Sequence, residues 1–386
     1  MRKLSEIAGR ECRRMMKNPI YGFCMVVFPM LMLFYFTSLM DEGQPTDMPV
    51  GVVDNDHTAT TRKLSLMLDA FQNSKVVAHY PSVAEARKAM QRNEIYAFIH
   101  YPKGMTEQMI AGRQPHLSFY YSMTSLTSGA LLFKDLKTVS TLGMAGVGQA
   151  TMRAKGLTDR QITTLLQPIT IDSHQLSNPW INYNMYLSVM LVPGVIMLFI
   201  LLLTPYSIGT EMKFGSGRQW LALADDNMAI ALMGKLLPQT IVFLLVFWGY
   251  SYYVYGILQF PHPGGWPTLL LLALLSVVAA QGFGAFVFSL MPSLRMSMSV
   301  CSLWGVLSFS MVGTAFPVSA MGAPLQLLSW LFPLRHYFVV YQMNVLNDYP
   351  LICSWPHLLS LLIFSLLPWL LLRRLKVSIN EYVYLP

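Results

Sequence analysis

Uncharged apolar runs long enough to cross a bilayer recur along this chain, and one stretch of ordinary polarity, residues 41–172, separates the first run from the rest. A spanning helix needs about 17–25 predominantly apolar residues. Residues 20–40, 183–208, 236–258, 268–291, 297–315 and 356–372 meet that condition. Only 12% of the 386 residues are charged, against about 25% in soluble domains. The pattern predicts a polytopic α-helical membrane protein with six transmembrane helices plus an extracytoplasmic α/β domain. Pro29, Pro193, Pro238 and Pro368 lie inside the runs. They do not exclude helices, because neighbouring helices satisfy the backbone groups that a proline frees. A seventh apolar stretch, 316–333, is broken by Pro317, Gly322 and Pro324. It reads as a re-entrant or interfacial element.

The first run is too long for the roughly 7–15-residue core of a secretory signal, and no Ala-x-Ala character follows it. It reads as a retained anchor. Orientation follows from Lys and Arg in short loops. Arg2, Lys3, Arg10, Arg13, Arg14 and Lys17 precede the first run, and Lys213, Arg218 and Lys235 join the second to the third. Arg295 follows the fourth, and Arg373, Arg374 and Lys376 follow the last. Only Arg335 lies in a short loop of the opposite side. Both termini are therefore expected in the cytoplasm and residues 41–180 outside. Residues 1–19 are expected to form an amphipathic interfacial helix. Leu4, Ile7, Ala8, Cys12, Met15 and Met16 would make its apolar side, with cations toward headgroups.

The net charge of +8 is spread over span ends and the polar stretch. Nucleic-acid binding needs a concentrated basic face, so it is not expected. Cys12, Cys24, Cys301 and Cys353 are far apart, lack metal-type spacing and read as small apolar filler. In the polar stretch, residues 50–54, 76–80, 97–101 and 117–121 have strand composition. Residues 58–71, 83–93, 105–111 and 126–155 have helical character. That alternation predicts a small α/β sheet. Asp54-Asn55-Asp56 falls where a strand gives way to a helix, so it reads as a turn and cap before a cation site. His79, His100 and His116 stand near strand ends, a weaker metal reading.

Much chemistry is missing. No Gly-x-x-x-x-Gly-Lys-Ser/Thr loop or Gly-x-Ser-x-Gly turn is present, and Gly234-Lys235 lacks both the preceding glycine and the hydroxyl. Ionisable residues hardly occur inside the runs, although proton- and ion-coupled transporters use them. No catalytic site, metal or cofactor is expected, and a partner must supply energy.

Three patterns carry a family resemblance. Val50-Gly51-Val52-Val53-Asp54-Asn55-Asp56 opens the polar domain. Glu211-Met212-Lys213-Phe214-Gly215-Ser216-Gly217-Arg218-Gln219-Trp220-Leu221 follows the second run and leads to Gly234-Lys235. Phe316-Pro317, Met321, Pro324 and Pro333-Leu334-Arg335-His336-Tyr337-Phe338 precede the last. In this order the chain resembles the membrane subunits of ABC-2-type, or type V, ABC exporters, in the subgroup with a large periplasmic domain between the first two spans. Departures are Ser216 where Thr is usual, Arg218 where an acid is common, and no Thr-Pro after Leu223.

The resemblance implies a permease subunit, homodimeric or paired with a homologue, above separate ATP-binding cassette ATPase subunits. Residues 209–235 would be the coupling segment. Glu211, Lys213, Gly215, Ser216, Arg218, Trp220, Leu221 and Lys235 are its candidate residues, with Trp220 and Leu221 as apolar anchors and Glu211, Lys213 and Arg218 as polar contacts. A periplasmic adaptor and an outer-membrane channel are further expected partners. Two rivals stand beside this reading. A membrane-anchored sensor or scaffold would bind a ligand through the outer domain without transport. An enzyme acting on lipid-linked substrates would need polar residues converging at one interface.

Overall fold

The computed structural model describes residues 2–111, 113–167, 172, 174, 177–178 and 180–381. It divides into two compact units, Glu42–Gln175 in one, and Met1–Asp41 with Leu176–Pro386 in the other.

In the Glu42–Gln175 unit, strands β1 (Met48–Asp54), β2 (Ser74–His79), β3 (Ala97–Tyr101) and β4 (Ser118–Tyr121) form one sheet in the order β2-β1-β3-β4. β1 pairs parallel with β2 and β3, and β4 closes the edge antiparallel to β3. Side chains alternate across the pleat. Val50, Val52, Ala97, Ile99 and Tyr101 therefore pack against Leu64 and Leu68 of helix Ala59–Asp69 and Leu132, Leu136 and Val139 of helix Leu126–Ala154. Val53 and Phe98 face the other way, onto Ala86 and Ala89 of helix Val83–Gln91. The strands and helices read from composition all appear, with ends displaced by no more than a few residues.

The acidic triplet turns the chain. Asp54 accepts from the amides of Asp56 and His57 and from the Thr61 hydroxyl. Asp56 accepts from the amide and hydroxyl of Thr106. Thr58 and Thr61 then form a reciprocal capping box. Among the described residues no group of three His, Cys, Asp or Glu side chains is placed to hold a metal.

The other unit is helical. Among the described residues five of its helices are long and apolar enough to cross a membrane: Pro19–Leu39, Tyr183–Lys213, Met228–Ile257, Gly265–Leu290 and Leu351–Glu381. The fifth sequence candidate, 297–315, is helix Leu294–Met311, shorter at 18 residues and carrying Arg295 and several serines. It packs on Tyr183–Lys213 where Gly194 meets Phe309 and Gly305 meets Leu198, a close approach that small residues permit. Helices run through Pro193, Pro205 and Pro238. Pro29 instead follows a π turn, Phe23–Val27, and Pro368 lies in a 3-10 turn, Leu367–Leu371, the local adjustments a membrane helix makes around proline. Residues 316–333 hold a 3-10 turn, Val318–Ala320, and a short helix, Ala323–Ser329. Cys301 is buried in the helical packing, Cys24 is half-buried, and Cys12 and Cys353 lie on the surface.

Candidate functional site

At 31 residues, Tyr183–Lys213 is about 46 Å long, and 30-residue Met228–Ile257 about 45 Å, where a hydrocarbon core takes about 30 Å. Their surplus length carries charge. The C-terminal turns of the former bear Glu211, and the N-terminal turns of the latter bear Lys235. Between them lie the short helix Gly217–Ala222 and a turn in which Asp225 and Asp226 both have positive φ. Asn227 then caps Met228–Ile257 by accepting from the amides of Ala229 and Ile230.

Glu211 and Lys235 are both inaccessible to solvent, and Lys235 Nζ donates to Glu211 Oε1 at 2.8 Å. The N-terminal helix, Arg2–Lys17, completes the constellation. Arg10 forks both guanidinium nitrogens onto the two Glu211 oxygens at 2.9 Å. Arg14 and the Ser216 hydroxyl also donate to Glu211. Glu11, equally buried, accepts from Lys235 Nζ at 2.7 Å and from Ser207 Oγ at 2.9 Å. Two buried carboxylates and the buried Lys235 ammonium thus share one site with the half-buried guanidinium groups of Arg10 and Arg14. A buried charge persists only when paired and hydrogen-bonded, and here every acceptor oxygen has a donor.

An apolar shell encloses the ions. Trp220 is fully buried, donates through Nε1 to the Ala231 carbonyl at 3.1 Å, and lays its ring 5.1 Å from Lys235 Nζ. Ile7, Ile208, Leu221, Phe288, Leu375 and Ile379 pack in the same cluster, joining both terminal helices to the connection between the long ones. The positive-φ turn is tied on either side: Lys3 pairs with Asp225, and Lys376 with Asp226.

The eight residues singled out from sequence fall into two groups. Glu211, Trp220, Leu221 and Lys235 are buried and brought together, with Ser216 half-buried beside Glu211. Lys213, Gly215 and Arg218 are exposed. Trp220, Leu221 and Glu211, expected as contacts for a partner, face inward, because the connection folds as a helical turn whose apolar side meets the terminal helices. What faces outward is Lys213, Phe214, Gly215, Arg218, Gln219 and Leu223. Arg218 also donates to the Asn380 carbonyl at 3.1 Å.

Sequence reading missed Arg10, Glu11 and Arg14. The headgroup role assigned to the cations of the N-terminal helix fails for Arg10 and Arg14, which turn to Glu211. One signal was present. Glu11 follows Leu4 and Ile7 at helical spacing, an acid on the buried stripe.

The family description "ABC-2 family transporter protein" matches residues 20–373. The chain belongs to the ABC-2 transporter family. Two relatives, each a "Probable multidrug ABC transporter permease YbhR", come from Escherichia coli strain K12 and Escherichia coli O157:H7. Each is 23% identical over 196 residues, which cover 49% of this chain and 51% of the relative. The chain thus spans about half the length of the curated relatives it matches. In this ABC-2 family chain the family match takes in Glu211, Trp220 and Lys235 and begins after Arg10, Glu11 and Arg14. With its several long apolar helices, it is a multi-pass membrane protein.

Proposed function

We propose that this chain is the permease subunit of an ATP-driven ABC exporter, coupled through residues 209–235 to a separate ATP-binding cassette ATPase. The observation that carries this reading is the buried ion cluster. It ties the N-terminal helix to the ends of the two long helices, and Ser216 and Trp220 join the connection to them, so that in this reading a push on the exposed residues between Lys213 and Leu223 moves these elements together. An element that transmits nucleotide state must move as a body between two arrangements. An ion cluster that resists separation supplies that rigidity.

In this reading six helices span the inner membrane, Leu294–Met311 being the fifth, and Phe316 to Pro333 forms an outer re-entrant element. Both termini lie in the cytoplasm and residues 41–180 lie outside, as in the subgroup with a large periplasmic domain. Two such subunits, identical or homologous, form the path between them. The chain carries no catalytic site or cofactor of its own, ATP being hydrolysed on the partner, and the outer domain meets an adaptor that leads to an outer-membrane channel. The relatives' names, probable multidrug permeases, favour an amphiphilic cargo.

The test is affinity isolation of the tagged full chain from its own membranes, followed by photolabelling with azido-ATP. A labelled subunit of ATPase size that is lost in the Arg218→Glu/Leu223→Asp variant supports the reading. An intact wild-type preparation with no nucleotide-binding subunit overturns it in favour of a sensor or scaffold.

A further inference from the structure

Two clefts flank the long helix Leu126–Ala154 in the Glu42–Gln175 unit. They have volumes of about 920 and 550 Å³. Leu64, Met109, Gly143, Val147 and Thr151 line both, so the two clefts share a wall. The larger cleft falls within the size of small-molecule sites, roughly 300–1,000 Å³.

The lining has a definite chemistry. Met67, Met105, Met109, Met144 and Met152 contribute to its walls. Methionine is unbranched and polarizable, and it repacks around apolar bodies of varied shape. Met144 is largely exposed. Lys63, Arg113 and Lys155, with His116, supply the ionisable groups, and no Asp or Glu lines either cleft. Ion pairs of this unit involve other residues, so among the described residues these cations have no carboxylate partner. Gly146 opens the helix surface further, since a Cβ there would meet nothing within 4 Å.

We infer that these adjoining clefts bind an anionic amphiphile, its apolar body against the methionines and its acidic head on Arg113 and Lys155. Charge and shape select that occupant together. An apolar wall alone would accept a neutral or cationic molecule equally, whereas three unpaired cations without an acid favour an anion and oppose a cation. The inference does not depend on the transport reading, because a sensor would use the same clefts.

The experiment photolabels the full chain in lipid nanodiscs with two probes that share one diazirine-bearing C16 tail, one ending in a carboxylate and the other in trimethylammonium. The carboxylate probe is expected to label peptides covering residues 105–117 and 140–155 in preference to the ammonium probe. Arg113→Glu/Lys155→Glu should lower carboxylate labelling by about tenfold or more, the worth of one charge-assisted contact. Thr151→Phe, which puts a ring on the shared wall, should lower labelling by both probes while thermal unfolding stays near wild type. Labelling without head-charge preference overturns the inference. So does cleft labelling unchanged in both variants, or protection of the cleft by a second copy cross-linked through Met144→Cys.

Discussion

Lys235 Nζ lies 2.8 Å from Glu211 Oε1, with both side chains closed to solvent, and the same ammonium reaches Glu11 at 2.7 Å. Lys235 is thus the one cation shared by both acids. Removing one member of such a cluster strands the others, which costs about 3–5 kcal/mol. Lys235→Met should therefore lower stability by that order, since Glu11 loses the one cation it pairs with among the described residues while Glu211 keeps Arg10 and Arg14. Adding Glu11→Gln should restore part of the loss. Thermal unfolding of the four proteins of this double-mutant cycle measures it, and additive losses would show that the two residues are not coupled.

Buried and exposed residues of the same connection should fail in different ways. Trp220→Ala removes a fully buried indole together with its hydrogen bond to the Ala231 carbonyl, at a cost of about 3–5 kcal/mol. Arg218→Glu with Leu223→Asp changes exposed side chains and should stay within about 0.5 kcal/mol per site of wild-type stability. On the proposed function, the second variant loses ATPase association at unchanged melting temperature, whereas the first loses both. Melting curves beside co-purification separate the two.

The sheet unit was legible because its signals are local. Val50-Gly51-Val52-Val53 reads as a strand wherever it sits, and Asp54-Asn55-Asp56 before Thr58 reads as a turn and cap. Gly51 adds a tertiary reason for its identity, since a Cβ there would lie 2.8 Å from the Tyr80 ring and 2.9 Å from Ile95. The third long helix was placed too late, at residue 236, because Lys235 looked like the polar end of a span. Its charge is neutralised inside the protein, and the helix begins at Met228. The last helix likewise continues through Arg373 and Arg374 to Glu381. Arg10 and Glu211 lie 201 positions apart, and no periodicity in either segment names the other.

The sheet unit should respond to pH through two acids in opposite senses. Partial burial lifts the Asp56 carboxyl, but the hydroxyl and amide of Thr106 and the Thr58 hydroxyl outweigh it and hold the group below the ordinary range. Its stabilisation is present above the unfolded pKa of about 4 and is lost as pH falls through the lower folded value. For Asp135, burial raises the carboxyl against weaker opposing help from Asn73 and Lys134. That contribution is fully present below the unfolded pKa and is lost as pH rises through the folded one. Asp56→Ala should remove the first dependence, and Asp135→Asn should remove the second and stabilise the protein at neutral pH. Unfolding followed by near-ultraviolet circular dichroism from pH 3 to 8 reads both, and unchanged profiles would refute the assignments.

The attachment of the N-terminal helix can be tested without touching a charge. At Gly234 a Cβ would fall 2.9 Å from Cβ and Cγ2 of Ile7 and 3.4 Å from the Leu4 carbonyl, so any side chain there pushes against the backbone of the neighbouring helix. At Gly249, on the same long helix, the nearest atom is the flexible end of Met30 at 3.6 Å. Leucine is intrinsically better than glycine in a helix by roughly 0.8 kcal/mol, so neither change is unfavourable to the helix that carries it. Gly234→Leu should lever the N-terminal helix away and release Arg10 and Arg14 from Glu211, while Gly249→Leu should be tolerated. Limited trypsin digestion of the two purified variants reports the difference directly. Faster cleavage after Arg10, Arg13 and Arg14 in Gly234→Leu alone is expected. Equal cleavage rates would mean that the helix is not held by close approach at Gly234, and the ion cluster could not then transmit motion from the connection to it.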